Sequence, residues 1–483
     1  MRVQNVLEIF QTYAIAGAIL IFPALLIFLF LRKTKRPLNV GKAMIWGSFF
    51  CYLFIVMGAT LFYRSSSPYR SAILQPFMTY RLAWHASAPG QWRNLMMNIM
   101  MFIPIGFMLP LLSIKTKNFL TVASIGFLMT VSIETAQFFT GRGGFAVDDI
   151  INNTLGALIG FGIYKVMAIR PFSVKEALKW LSPLLITLAA FSGIFIAYEL
   201  QELGNLQITP VFRQNMNHIA ITSEIAFSQE ARETTLFSTT GLVTRSETER
   251  FASEFFKNRG VVLAKSATNS YDRVIIYRGI RPETGQEYSL WVERLGLAYW
   301  FSDFSSFDLT PLANVEEAII REALSGFGIQ VPSHAQFTEL ENGRYQFTAT
   351  AEETSPTFHG TLRLQFFNDY SIRSISNQML RAYPLRTVEI ISEETAFQQI
   401  QQGLFGLGPW HISSLRVVGV ELDWLLDSKG FLQPVYRFQA WADDWEHDIL
   451  IPAMKKIFRS ISYLEMLFLF FFRNFCFADT LFL

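Results

Sequence analysis

The sequence predicts an α-helical integral membrane domain of about six transmembrane helices, followed by an extracytoplasmic α+β domain of repeated helix-on-antiparallel-sheet units. Three observations carry that reading. Of 483 residues, 51% are hydrophobic and only 17% charged, well under the roughly 25% charged residues of an ordinary soluble domain. Six apolar runs, at 10–31, 43–62, 95–113, 118–139, 150–169 and 180–200, have the length of roughly 20 residues that crosses a bilayer. Charge is also divided. Residues 201–455 hold 31 acids against 21 bases, whereas the rest of a chain of net charge +2 is clearly basic. Opposite signs in one chain point to two domains in different surroundings.

The first run is too long for a cleavable signal, lacks a small-x-small cleavage site and leads straight into a basic stop-transfer stretch. Loop charges orient the spans. Arg32, Lys33, Lys35, Arg36 and Lys42 follow the first run, Lys115 and Lys117 the third, and Lys165, Arg170, Lys175 and Lys179 the fifth. Those loops are expected in the cytoplasm. The N-terminus, the 63–94 loop, the 140–149 corner and residues 201–455 are then expected outside. The 63–94 loop carries Arg64, Arg70, Arg81 and Arg93 and no acid, interleaved with Tyr63, Tyr69, Tyr80, Trp84 and Trp92. Such a loop either anchors to outer-leaflet headgroups, where aromatics and arginine stems settle, or forms a basic lip for an anionic lipid or cell-wall intermediate.

Domain boundaries follow: 1–170 for the first helical domain, 171–200 for a sixth helix, 201–455 for the acidic domain and 456–483 for an apolar tail broken by Glu465, Arg473 and Asp479. In the acidic domain the helical spacing of 314–324 is followed by strictly alternating strands at 343–349 and 360–366. Ser392 caps a second helix, and 434–441 repeats the strand. An earlier copy begins near Ser246, with strands at 273–277 and 287–292. The alternation over 246–453 resembles the PepSY-like and YycI/YycH-like domains of bacterial envelope proteins. Trp291, Trp300, Trp410, Trp424, Trp441 and Trp445 are expected in cores, and any exposed one invites glycan stacking. Cys51 and Cys476 are too few and too far apart for a disulfide framework or a metal knuckle.

Chemistry concentrates where spans four and five meet. Of the acids in the first 200 residues, Glu134, Asp148 and Asp149 fall in that corner beside Gln137, Arg142 and Asn153. Ionisable groups in or beside a bilayer are expensive and mark a functional site by default. Thr130, Glu134 and Gln137 share one helix face, and Asp149, Asn153, Gly156 and Gly160 form a stripe on the next. The two glycines let a neighbouring helix approach closely. Asn98 enters span three from the same outer side.

These residues resemble a known family, the VanZ-like membrane proteins of bacteria, named for a teicoplanin-resistance protein. The match rests on Asn98 with Phe102-Ile-Pro-Ile-Gly106, on Ser132-Ile-Glu-Thr-Ala-Gln137, on Arg142, and on Asp148-Asp-Ile-Ile-Asn-Asn-Thr-Leu-Gly156. It covers about residues 1–170. Ala146 stands where family corners often carry another acid, and Gly143-Gly144 makes this corner one residue longer. The resemblance implies an envelope-associated membrane protein and no established reaction.

Three readings of the corner remain open. One is a buried polar clamp between spans. Another is a binding site in which Arg64, Arg70, Arg81 and Arg93 meet an anionic headgroup while Asn98, Glu134, Gln137, Arg142, Asp148, Asp149 and Asn153 shape the pocket. The third is catalysis with Glu134 and Asp149 as acid and base; no nucleophile accompanies them, since Ser132 faces away from Glu134 and His85 has no second metal ligand. Binding or masking of an outer-leaflet lipid or wall precursor is the favoured expectation, with 201–455 as a module for other envelope proteins. No metal, cofactor or nucleic acid is implied, and acids confined to one side argue against transport.

Overall fold

The computed structural model describes residues 40–455, apart from 87–88, 209, 211–212, 265–268, 272, 305–308, 353–356 and 407–411. The expected first span, the basic stretch after it, Trp410, Cys476 and the tail lie outside the described residues. The chain divides into two compact units, one taking the helices up to Leu200 and the other the residues from Gln201 on.

The helical unit contains α1 (Val40–Met57), α2 (Met78–Ala86), α3 (Pro89–Leu112), α4 (Phe119–Thr140), α5 (Val147–Ala168) and α6 (Val174–Leu200). Five stretches are long and apolar enough to span a membrane: Met44–Phe62, Gly90–Leu112, Phe119–Thr140, Val147–Ala168 and Val174–Leu200. They coincide with the second to sixth apolar runs. A π-turn, Gly58–Phe62, extends α1, and α3 continues through Pro104 and Pro110. Helix α4 starts on the side chain of Asn118, which accepts from the Leu120 N–H at 2.8 Å. It stops at Gly141, whose φ of 67° suits glycine and whose N–H returns to Gln137 and Phe138.

The tightest helix pair is α3 with α5. A Cβ placed on Gly156 would stand 2.0 Å from the Ile99 carbonyl oxygen, and one on Gly160 would stand 1.9 Å from that of Ile103. The small-residue stripe is thus a backbone-to-backbone contact, the packing that membrane helices use where the hydrophobic effect gives no drive. Phe102, Ile105, Ala157 and Phe161 are buried along the same seam.

The second unit is β-rich. Its helices are α7 (Arg245–Lys257), α8 (Glu317–Gly326) and α9 (Glu393–Gln401). A box of hydrogen bonds between Thr244 and Glu247 starts α7, and Ser392 caps α9 by accepting from the Thr395 N–H. Helices α7 and α8 share one sheet. Its strands are β5 (Val262–Leu263), β6 (Asn269–Tyr271), β7 (Val274–Ile280), β8 (Glu287–Glu293), β9 (Tyr299–Asp303), β10 (Gln336–Leu340), β11 (Arg344–Ala349), β12 (Thr357–Phe366) and β13 (Ile372–Asn377). Phe256, Ile320 and Leu324 meet Leu290, Phe301, Phe347 and Leu364 in that core. Helix α9 packs its Phe397 and Ile400 on Leu415, Phe438 and Ile449, from β15 (Ser414–Leu426), β16 (Phe431–Ala442) and β17 (Trp445–Pro452).

The repeats are less independent than the sequence pattern suggests. Strand β14 (Leu380–Ile390) pairs with both β12 and β4 (Arg232–Ser238), so hydrogen bonding runs through all the units. One pairing is parallel, between β15 and β3 (Ala220–Ser223), where only antiparallel strands were expected.

Candidate functional site

Two short strands organise the corner. β1 (Ala72–Ile73) pairs in parallel with β2 (Phe145–Ala146), matching Ala72 to Phe145 and Ile73 to Ala146. The Ser67 N–H donates to the Gly141 carbonyl at 2.8 Å, and that of Phe145 to the Ser71 carbonyl at 2.9 Å. The arginine-bearing loop is therefore stitched to the α4–α5 corner. Gly141 is required there for space as well as for φ, because a Cβ would fall 2.3 Å from the Ser67 carbonyl oxygen.

Most of the predicted polar residues serve this assembly. Asp148, 1% exposed, accepts from the backbone N–H groups of Phe77 and Thr79 and from the Thr79 hydroxyl. Its charge holds the first turn of α2, where the orphan N–H groups and the positive end of the helix dipole favour an anion. Gln137 donates to the Thr60 carbonyl at 2.9 Å. Arg142 donates to the Leu61 carbonyl at 2.7 Å and to that of Phe62 at 3.3 Å, capping the π-turn rather than facing an anion. Asn153 donates to Thr130 at 2.8 Å and so links α5 to α4.

What remains is Glu134, Asp149, Asn98 and Arg64. Glu134, 3% exposed, accepts from the Ala146 N–H at 3.1 Å and stands within electrostatic reach of Asp149 and Arg64. Asp149, half-buried, is hydrogen-bonded by Asn98 of α3 and feels the same arginine. Arg64 is exposed, and its guanidinium lies over the corner, with Nη1 3.0 Å from where a Gly143 Cβ would be. The cation acting on both carboxylates is thus Arg64. Arg70 and Arg93 are exposed and Arg81 is half-buried on α2.

The structure adds residues that the sequence reading missed. Tyr80 donates to the side-chain oxygen of Asn152 at 2.5 Å. Asp148 and Asn152 are four residues apart, a second polar stripe beside that of Asp149 and Asn153, and this spacing could have disclosed them. Among the described residues, the Nδ2 of Asn152, the Oδ1 of Asn153 and the hydroxyl of Thr154 are buried without a hydrogen-bond partner. Unmet polar groups of this kind are uncommon and call for an explanation. Among the described residues no group of three His, Cys, Asp or Glu could hold a metal ion.

A bundle of membrane-spanning helices with a carboxylate pair beneath an arginine loop defines a class of membrane protein. Residues 49–168 match the family model VanZ/LLP1. Over those residues the helical unit is thus VanZ-like. Over 132 residues the chain is 28% identical to Protein VanZ of Enterococcus faecium, an alignment covering 26% of this chain and 76% of that protein. An uncharacterized protein from Eubacterium rectale aligns with 49% of this chain and 87% of its own at 10% identity and a TM-score of 0.27. The Bacillus megaterium YpeB C-terminal domain aligns with 44% of this chain and 94% of its own at 16% identity and a TM-score of 0.24.

Proposed function

We propose that the VanZ-like domain binds an anionic headgroup of an outer-leaflet lipid or cell-wall precursor without transforming it. The observation that carries this reading is the strand pairing that fixes Arg64 over Glu134 and Asp149. A phosphate would meet Arg64, Arg70 and Arg93 in charge-assisted hydrogen bonds. Hydroxyl or amine groups of the same headgroup would donate to Glu134 and Asp149. The unmet polar atoms of Asn152 and Asn153 lie on the first turns of α5, one helical turn from Asp149. Lys115, Lys117 and Arg170 fall in the loops, and Lys165, Lys175 and Lys179 in the adjoining helix turns, at the other ends of these helices, which supports an external corner and an extracytoplasmic β-rich unit. Likeness to Protein VanZ extends the reading to a role in glycopeptide (teicoplanin-type) resistance by masking such a lipid.

In detergent, Arg64→Glu should weaken phosphatidylglycerol binding to the purified protein about tenfold, the loss of roughly 1.4 kcal/mol of contact; unchanged binding would sink the proposal. A second reading is favoured by Asp148, Gln137, Arg142 and Asn153, all engaged within the bundle: the corner as a clamp only. Glu134→Gln separates the two. On the binding reading it alters headgroup affinity and leaves thermal stability within about 1 kcal/mol, whereas on the clamp reading stability alone falls.

A further inference from the structure

The sheet under α7 and α8 has a second face that, among the described residues, no helix of its unit covers. Strand register defines it. Trp291 of β8 pairs with Trp300 of β9, Trp300 with Ser376 of β13, and Ser376 with Arg363 of β12. One row along, Arg278 of β7 pairs with Ser289, Ser289 with Ser302, and Ser302 with Ser374. Gln365 then pairs Ser374 with Arg344 of β11. Partners in register share a face, and their neighbours along each strand, Leu290, Phe301, Leu362 and Phe347 among them, point into the helix-covered core.

The chemistry of this face is unusual for a unit with ten more acids than bases. Trp291 is 44% exposed, and its indole N–H donates at 2.9 Å to Ser289, two residues back on the same strand. That bond ties the indole back to its own strand, and the half-buried Trp300 is its cross-strand neighbour. Arg344 and Arg363 are exposed and Arg278 half-buried. Arg363 donates to Gln346, and none of the three forms an ion pair among the described residues. The acids on this face stand at the ends of β8: Glu287 at the edge, and Glu293 beside Arg273 and Arg294. With strands about 4.8 Å apart, Arg363 stands about 10 Å from Trp300 across β13.

We infer that this face binds an anionic glycan, its sugar rings stacked on Trp291 and Trp300 and its carboxylate or phosphate groups met by Arg278, Arg344 and Arg363. The serine and glutamine rows supply hydrogen bonds to ring hydroxyls. An indole tied back to its own strand suits a sugar face better than a bilayer, into which it would have to project. The net negative charge of the unit discourages long, uniformly charged polymers such as nucleic acid. The inference does not depend on the headgroup site.

The test uses the full-length protein in detergent, with a hexamer of galacturonate, a neutral cellohexaose, single-stranded DNA, and phosphatidylglycerol vesicles as probes in calorimetry. The uronate hexamer should bind saturably and more tightly than cellohexaose. Trp291→Ala should weaken it at least about tenfold, while Trp291→Phe, which keeps a ring, should stay within about threefold. Arg363→Gln and Arg344→Gln should weaken the uronate and leave cellohexaose unchanged. The inference is overturned if the uronate does not bind, if Trp291→Ala binds it like the parent, or if Trp291 governs binding to DNA or vesicles instead. An unchanged unfolding temperature of Trp291→Ala shows that a loss of binding is local.

Discussion

Asp427 in the β-rich unit and Glu134 in the helical unit are equally hidden, at 1% and 3% exposure, yet their surroundings differ in kind. Asp427 accepts from the N–H groups of Gly204, Lys429, Gly430 and Phe431 and from the side chain of Gln433. Every lone pair has a fixed donor, and the carboxylate ties residues 204–205 to the β15–β16 turn. Glu134 accepts from one backbone N–H and shares its space with a second carboxylate. Burial is common to both, so burial does not mark function. Completeness of hydrogen bonding separates them: the fully satisfied anion holds structure, and on the proposed reading the incompletely satisfied one is available to a ligand.

The contrast can be broken or sharpened, and the largest effect is expected at Asp427. Asp427→Ala strands five donors and should lower the stability of the β-rich unit by about 3 to 5 kcal/mol, read by calorimetry of the intact protein; a loss below 1 kcal/mol would break the comparison. Asp148→Ala should cost about 2 to 4 kcal/mol, because the first turn of α2 loses its anion. Protease cleavage of the 63–77 loop should rise with it.

A smaller, pH-dependent effect is expected at His359. Its Nε2 bonds the Trp424 carbonyl at 2.7 Å and lies 3.4 Å from Asp423, while its Nδ1 is buried without a partner. Burial holds its pKa below the usual 6.5, against the opposing pull of Asp423. The unfolded chain therefore binds the proton more readily. The stability from neutral His359 is complete above about pH 6.5 and lost as pH falls from there through the folded pKa. Unfolding measured between pH 7.5 and 5 should show this slope, and His359→Gln should flatten it. Least of all should come from Glu389→Ala. Its pairing with Lys455 is 65% and 66% exposed, and removing it should change stability by under about 0.5 kcal/mol.

The sequence reading reached some of this and not the rest, for a physical reason. Apolar runs and helical spacing are local, so five spans, the Gly156–Gly160 contact and the polar faces of α4 and α5 could be read from the chain. The donors that engage Asp148 come from Phe77 and Thr79, about 70 residues earlier, and no local pattern announces them. From the sequence Arg142 is one of the residues that shape the pocket; only the carbonyls of Leu61 and Phe62, brought in by the π-turn, reveal its partners. In the β-rich unit the alternation of β11, β12 and β16 was legible. The pairing of β14 with β4 joins strands more than 140 residues apart and was not.

The two-residue pairing of β1 with β2 also bears on biogenesis. It closes a loop of about 70 residues that contains α2, α3 and α4. During synthesis Arg64 emerges long before the carboxylates it will face, and nothing holds it until α5 is inserted. The corner is consequently a checkpoint for the whole bundle. A chain truncated before Ala146 lacks α5 and α6, and one in which α3 fails to seat on α5 keeps every apolar span, yet both lose the corner.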